Sequence, residues 1–277
     1  MTLSPKRLTE LLATFLEEDL ATGDLSTSGL APQLVHGDFL AKRAGLLVGQ
    51  CVPAAIYALL SPQATYTPTV PDGTLVQAGT VVGHATGPAT TLLAGERVAL
   101  NLMQRMSGIA TATHLAVTTL NDPSIGILDT RKTTPGLRLF DKYAVQCGGG
   151  LNHRMGLYDA VMLKDNHWRL ITDLPAMVRR LRQLIGPTKL IEVEVATLDQ
   201  LQLAITSRVD MIMFDNQSPK TVREWRQLVP PTIQVEASGG ITPAKLPSYA
   251  GTGVDFISLG YLTNSVQALD ISFNLTD

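Results

Sequence analysis

LIEVEVATLDQLQLAITSRVDMIMFDNQSPKTVREWRQLVPPTIQVEASGG, residues 190–240, alternates two textures. The runs 190–195, 209–214 and 233–237 are short and mostly β-branched or apolar. Between them, 198–206 and 219–228 space their apolar residues as helices do. Strand–helix–strand–helix–strand in that rhythm predicts parallel strands in a sheet or barrel. The rhythm extends outward to strands near 125–129, 158–163 and 254–259, with a further helix at 171–185. Six strands fall short of a full eight-stranded barrel.

The first part of the chain reads differently. Ser4-Pro5 suits a helix start, and Leu8, Leu11, Leu12, Phe15 and Leu16 continue with helical spacing. From Asp38 to Ala89 short apolar runs alternate with turn signals such as Pro71-Asp72-Gly73, around a helix at 53–60 and a strand at 81–84. Residues 94–120 are helical in composition, with a break expected at Ser107-Gly108. No sequence repeat or low-complexity linker appears.

Composition excludes several classes of function. The chain has 277 residues and a formal charge of −2. That balance argues against a broad nucleic-acid face, and 5% aromatics leaves few base-stacking platforms. Two cysteines, Cys51 and Cys147, build neither a disulfide framework nor a cysteine zinc site. The longest apolar stretch, 45–60, is interrupted by Gln50 and Pro53 and is too short for a membrane span. A cytoplasmic protein is expected.

Polar groups cluster where the strands end, which is where a parallel barrel carries its site. The ends supply Asp129-Thr130-Arg131-Lys132, Lys164-Asp165-Asn166-His167, Asp215-Asn216, Ser238-Gly239-Gly240 and Gly260, while Glu192 and Glu194 share one strand face. Residues 129–167 hold six of the 22 Lys and Arg: Arg131, Lys132, Arg138, Lys142, Arg154 and Lys164. His153 and His167 accompany them. Such a cation cluster in a near-neutral chain suits a small, multiply charged anion. The Ser238-Gly239-Gly240 turn, between a strand and a helical segment, suits a phosphate. Lys164 also permits a Schiff-base reading. His36, His84 and His114 read as structural or surface groups, Tyr143 and Trp168 as packing. Cys147 has no neighbouring base to activate it.

Seven segments together resemble the quinolinate phosphoribosyltransferase family. They are EDLATGD (18–24), LNLMQRMSGIAT (100–111), LDTRKTTPGLRLFDKYAVQCGGGLNHRMGLYDAVMLKDNH (128–167), IEVEV (191–195), MFDN (213–216), VEASGGIT (235–242) and TGVDFISLGYLTNS (252–265). The resemblance implies an α/β fold: a sandwich-like N-terminal domain at 1–110 and an incomplete, about six-stranded parallel α/β barrel at 111–264. Residues 265–277 are then expected to return to the N-terminal domain.

The implied reaction joins quinolinate to phosphoribosyl pyrophosphate with Mg²⁺, giving nicotinate mononucleotide, pyrophosphate and carbon dioxide in NAD biosynthesis. By resemblance, Arg131, His153, Arg154 and Lys164 surround the quinolinate carboxylates, beside Thr130. Lys132 is shared with the phosphoribosyl substrate. Glu194 and Asp215 meet the ribose hydroxyls or the Mg²⁺ complex, directly or through water. Ser238, Gly239, Gly240 and Gly260 hold the 5′-phosphate. Lys132, Lys164, Glu194 and Asp215 are the implied catalytic set. Arg105 is implied to come from a neighbouring subunit, so a homodimer or larger assembly with a shared site is expected, without nucleic-acid or membrane partners. Two positions depart from the family pattern: Ala21 replaces a usual glycine, and Asn264 stands where histidine is frequent.

Overall fold

The computed structural model describes residues 4–276. The chain divides into two compact units. One comprises the residues through His114, residues 133–149 and those from Leu262 onward; the other comprises 115–132 and 150–261.

The first unit begins with α1 (Pro5–Leu20), which buries Leu8, Leu12 and Leu16 on one face. Then come β1 (Leu34–Ala41), β2 (Gly45–Leu47), α2 (Cys51–Leu60), β3 (Thr65–Pro68), β4 (Thr74–Val76), β5 (Val81–Pro88) and α3 (Ala89–Leu120), whose residues from Leu115 on count with the second unit. β1 and β5 pair antiparallel, and β3 adds to β5. The chain returns at its far end to place β12 (Ile271–Thr276) antiparallel to β1, Ala41 opposite Ile271. Inward residues alternate along β1 with outward ones, as one half-buried sheet face requires. Phe39 sits at the centre of this core, against the rings of Tyr57, Tyr66 and Phe273.

Two expectations need correction in this unit. α3 runs 32 residues through Ser107-Gly108 without a break. Ser107 is buried, its hydroxyl donating to the Val48 carbonyl and accepting the Val48 N–H. A Cβ on Gly108 would lie 2.1 Å from the Gln267 carbonyl oxygen. These small residues therefore serve close packing, and the helix tolerates them because its neighbours fill the space. Secondly, residues 133–149, assigned to the barrel from sequence, pack in the first unit. Their helix α4 (Arg138–Cys147) buries Phe140, Ala144 and Val145 in that unit's core. Basic residues on its other positions disguise that apolar face in the sequence.

The second unit contains β6 (Gly126–Leu128), β7 (Val161–Leu163), α5 (Asp165–Trp168), α6 (Leu174–Ile185), β8 (Ile191–Val195), α7 (Leu198–Thr206), β9 (Met211–Asp215), α8 (Pro219–Arg226), β10 (Gln234–Ser238) and β11 (Phe256–Ser258). The short α9 (Tyr261–Asn264) follows, its residues from Leu262 on counting with the first unit. Six parallel strands lie in the order β6-β11-β10-β9-β8-β7, which leaves β6 and β7 as the edges. All six match the strands expected from sequence. Their rhythm is punctuated by side-chain caps. Asp173, Thr197 and Ser218 accept N–H bonds from Ala176, Gln200 and Thr221, and so start α6, α7 and α8. Among the described residues no helix is long and apolar enough to cross a membrane.

Candidate active site

The C-terminal strand ends of the second unit enclose a cavity of about 310 Å³. Thr130, Arg131 and Lys132 enter after β6, and Lys164 follows β7. Glu194 comes from β8, Asp215 and Asn216 from β9, and Ser238, Gly239 and Gly240 from β10. His153 and Arg154 arrive on the segment before β7. One rim thus collects four cations and two carboxylates.

The cations press on one another. Burial first, and then the charge of Arg131, pull the Arg154 pKa below its ordinary value. A bound anion would relieve both costs. The Arg154 guanidinium is anchored by donating Nη1–H to the Ala160 carbonyl at 2.8 Å. The loop carrying Lys132 is tightened by its own N–H donating to Thr130 Oγ1 at 3.0 Å.

The acids sit opposite. Lys164 Nζ lies 3.5 Å from Glu194 Oε2. Burial raises the Glu194 pKa, the Lys164 charge opposes that rise, and the Asp215 charge adds to it. The two carboxylates therefore share a field that a divalent cation would satisfy, and both offer the hard oxygen ligands that Mg²⁺ takes. Trp168, read from sequence as packing, donates its indole N–H to the Glu194 carbonyl at 2.7 Å. It thereby ties α5, which follows Lys164, to the end of β8. His167 Nδ1 accepts the Lys164 N–H at 3.0 Å, which gives His167 an orienting role.

The Ser238-Gly239-Gly240 turn has a backbone that glycine suits. Gly239 and Gly240 have φ of +91° and +60°, and a Cβ on Gly239 would lie 2.5 Å from Asn216 Oδ1. The helical segment expected after it is a seven-residue 3-10 turn at Pro243–Tyr249. The case for phosphate there consequently rests on accessible backbone N–H groups, without a helix dipole. Ser258 also lines the cavity, and its hydroxyl donates to Ser238 Oγ at 2.8 Å.

Beneath this rim lies a buried polar layer that the sequence signalled only in part. His153 Nε2 is 2.9 Å from Glu192 Oε2 and 3.4 Å from Glu236 Oε2. Burial opposes a charge on the ring, yet the nearness and charges of the two glutamates carry its pKa up to about 10. Geometry decides otherwise: Nδ1 accepts the Arg154 N–H at 2.8 Å, so no hydrogen fits on Nδ1 and the ring is the neutral Nε2–H tautomer. Asp129, fully buried, accepts the His153 N–H at 2.9 Å and the Asn152 side-chain amide at 2.6 Å. A charged residue between Val235 and Ala237, in the middle of strand 234–238, was the available signal for Glu236.

The profiles "Quinolinate phosphoribosyl transferase, N-terminal domain" and "C-terminal domain" match residues 19–107 and 109–274. The chain belongs to the quinolinate phosphoribosyltransferase family. It is 47% identical over 271 residues to a probable nicotinate-nucleotide pyrophosphorylase [carboxylating] of Bacillus subtilis, covering 98% of this chain and 94% of that one. The corresponding Mycobacterium leprae enzyme is 37% identical, with 94% of each chain covered. The structure of NadC from Streptococcus pyogenes superposes with a TM-score of 0.95 at 37% identity, covering 100% of this chain and 99% of that one.

Of the residues singled out by the quinolinate phosphoribosyltransferase resemblance, Thr130, Arg131, Lys132, His153, Arg154, Lys164, Glu194, Asp215, Ser238, Gly239 and Gly240 line the one cavity. Gly260 is not among its lining residues. Arg105, in the first unit, forms a two-point ion pair with buried Asp141 at 2.7 and 2.8 Å and donates to the Thr263 carbonyl at 3.1 Å. Lys142, counted with the anion-binding cations, is fully buried in the first unit. His36 and His84 are surface groups bonded to Thr86 and Asp38. Burial pushes the Cys147 thiol up, which agrees with its lack of an activating base.

Proposed function

We propose that this chain transfers a phosphoribosyl group from phosphoribosyl pyrophosphate to the ring nitrogen of quinolinate, releasing pyrophosphate and carbon dioxide. The observation that carries the reading is the convergence of Arg131, Lys132, Arg154 and Lys164 on one cavity that also holds Glu194, Asp215 and a diglycine turn. Two polyanions meet only where cations offset their repulsion. Arg131, Arg154 and Lys164 bind the two carboxylates and aim the ring nitrogen at the sugar's anomeric carbon. Lys132 reaches both substrates. The backbone N–H groups of 238–240 hold the 5′-phosphate.

As pyrophosphate departs, positive charge grows on the ribose, and Glu194 and Asp215 stabilise it. The same two carboxylates would hold Mg²⁺, whose chemistry when bound is to neutralise the pyrophosphate leaving group. Once the ring nitrogen is quaternary, the adjacent positive charge stabilises the electron pair left at C2 by carboxylate loss, until a proton replaces it.

The assembly is a homodimer at least, with Arg105 of a neighbouring subunit completing the site. Asp141 and Thr263 fix that guanidinium through Nε and Nη2. Purified protein with quinolinate, phosphoribosyl pyrophosphate and Mg²⁺ is expected to give pyrophosphate and carbon dioxide in equal amounts. Turnover of nicotinate without carbon dioxide release, and none of quinolinate, would refute the reading. Sedimentation alongside the assay tests the assembly, since a fully active monomer contradicts it.

A further inference from the structure

Glu192 projects from β8 and Glu236 from β10, on either side of β9. Alternate strands of a parallel barrel send side chains into one interior layer, ordinarily filled by branched apolar residues. Here the layer holds two buried carboxylates and the His153 ring. Both Glu236 oxygens and one Glu192 oxygen make no hydrogen bond among the described residues. Desolvating and crowding two acids is costly, so the layer calls for a compensating role.

The ring's Nδ1 accepts the Arg154 N–H, and Nε2 lies 2.9 Å from Glu192 Oε2. A metal ion at the same three groups would need Nε2 without its hydrogen; with Nδ1 also accepting, the ring would have to be an imidazolate. What the ring does hold is the segment 151–154. Leu151 makes an isolated parallel bridge to Leu128 on the β6 edge. Asp129 grips the Asn152 side chain and the His153 N–H. The Arg154 guanidinium reaches the Ala160 carbonyl, just before the β7 edge. The segment therefore spans the gap that six strands leave between β6 and β7.

We propose that Glu192 and Glu236 are positioning residues for the quinolinate half of the site. Acting through His153, they hold 151–154 as a substitute stave and so fix where Arg154 presents its guanidinium. The inference rests on the cavity being the quinolinate site.

The test compares Glu236→Leu with Glu236→Gln, which keeps an oxygen beside Nε2. The Leu variant is expected to raise the quinolinate KM roughly tenfold or more, as misplacement of a binding group does. The phosphoribosyl pyrophosphate KM should stay within about threefold, and the Gln variant within about threefold of the parent on both. In a His153→Leu background, Glu236→Leu should add no further loss. An unchanged quinolinate KM, equal losses for both substrates, or additive losses in the double variant would overturn the proposal.

A measurement on the parent protein stands if the Leu variant does not fold. Imidazole ¹⁵N spectra, with His153 assigned by its disappearance in His153→Gln, should show the neutral Nε2–H tautomer. An Nδ1–H ring, an imidazolium, or a stoichiometric divalent metal in protein purified without added metal would overturn the proposal. Parent protein inert toward quinolinate would instead refute the functional reading, and the spectra would still test the His153 geometry.

Discussion

Replacing Gly108 with alanine sets two opposed effects against each other. Alanine in a helix interior is favoured over glycine by about 1 kcal/mol, so a free α3 would gain. In the folded chain, however, the added Cβ would lie 2.1 Å from the Gln267 oxygen, 2.9 Å from its carbonyl carbon and 3.0 Å from Ala268 Cα. All three are backbone atoms, so no rotamer change relieves the contact. Relief needs a shift of about 1 Å in the chain around 267, since carbon–oxygen contacts are ordinarily 3.3 Å or longer even when weakly attractive. That shift strains the Leu269 N–H bond to the Gln104 carbonyl, 2.9 Å long, next to where β12 begins. Overpacking of this kind costs about 1–3 kcal/mol, and a weakened buried hydrogen bond adds about 1. Set against the helix gain, the net loss should be about 2 kcal/mol. Urea unfolding followed by circular dichroism should show a lower midpoint with an unchanged slope. A midpoint equal to or above the parent's would refute the close-packing account of Gly108 and restore the view of it as a helix breaker.

Arg131→Ala and Lys164→Ala should each abolish turnover with quinolinate while leaving the circular dichroism spectrum unchanged; near-parental rates in either would contradict their substrate-facing role. Glu194→Gln should be inactive yet more stable than the parent at neutral pH. Burial raises the Glu194 pKa in the fold, so the folded state favours the protonated acid and loses stability as pH rises from the unfolded pKa through the raised one. The advantage of Gln should consequently shrink on acidification toward pH 4.5, and thermal melts across that range check the sign. Ala21→Gly should stabilise by about 1 kcal/mol, because Ala21 ends α1 at a φ of +40°, where glycine carries no side-chain penalty. A lower melting temperature in that variant would count against strain at this turn.

The barrel was legible because its strands are short, apolar and each closed by polar residues, and because Asp173, Thr197 and Ser218 mark helix starts in plain sequence. α3 was misread at Gly108 because sequence cannot separate a glycine that breaks a helix from one that admits a neighbouring backbone. The central basic stretch was read as one site. The fold divides it, sending Arg138 and Lys142 to the first unit while Arg131, Arg154 and Lys164 line the cavity. His153 beside Arg154 looked like a carboxylate ligand, since an imidazole facing inward and one facing outward leave the same letters. What the letters did not show is that Glu192 and Glu236 stand beside the ring.

The pairing of β12 with β1 bears on how the chain is made. Ala41 meets its partner Ile271 only after the intervening chain has emerged from the ribosome. Until then one edge of β1 offers unpaired N–H and C=O groups to any passing strand. The second unit, by contrast, takes its six strands from one stretch between residues 126 and 258. Synthesis thus completes the cavity-bearing half before the sheet that began first, and an arrest shortly before residue 271 leaves a finished barrel tethered to an open, aggregation-prone edge.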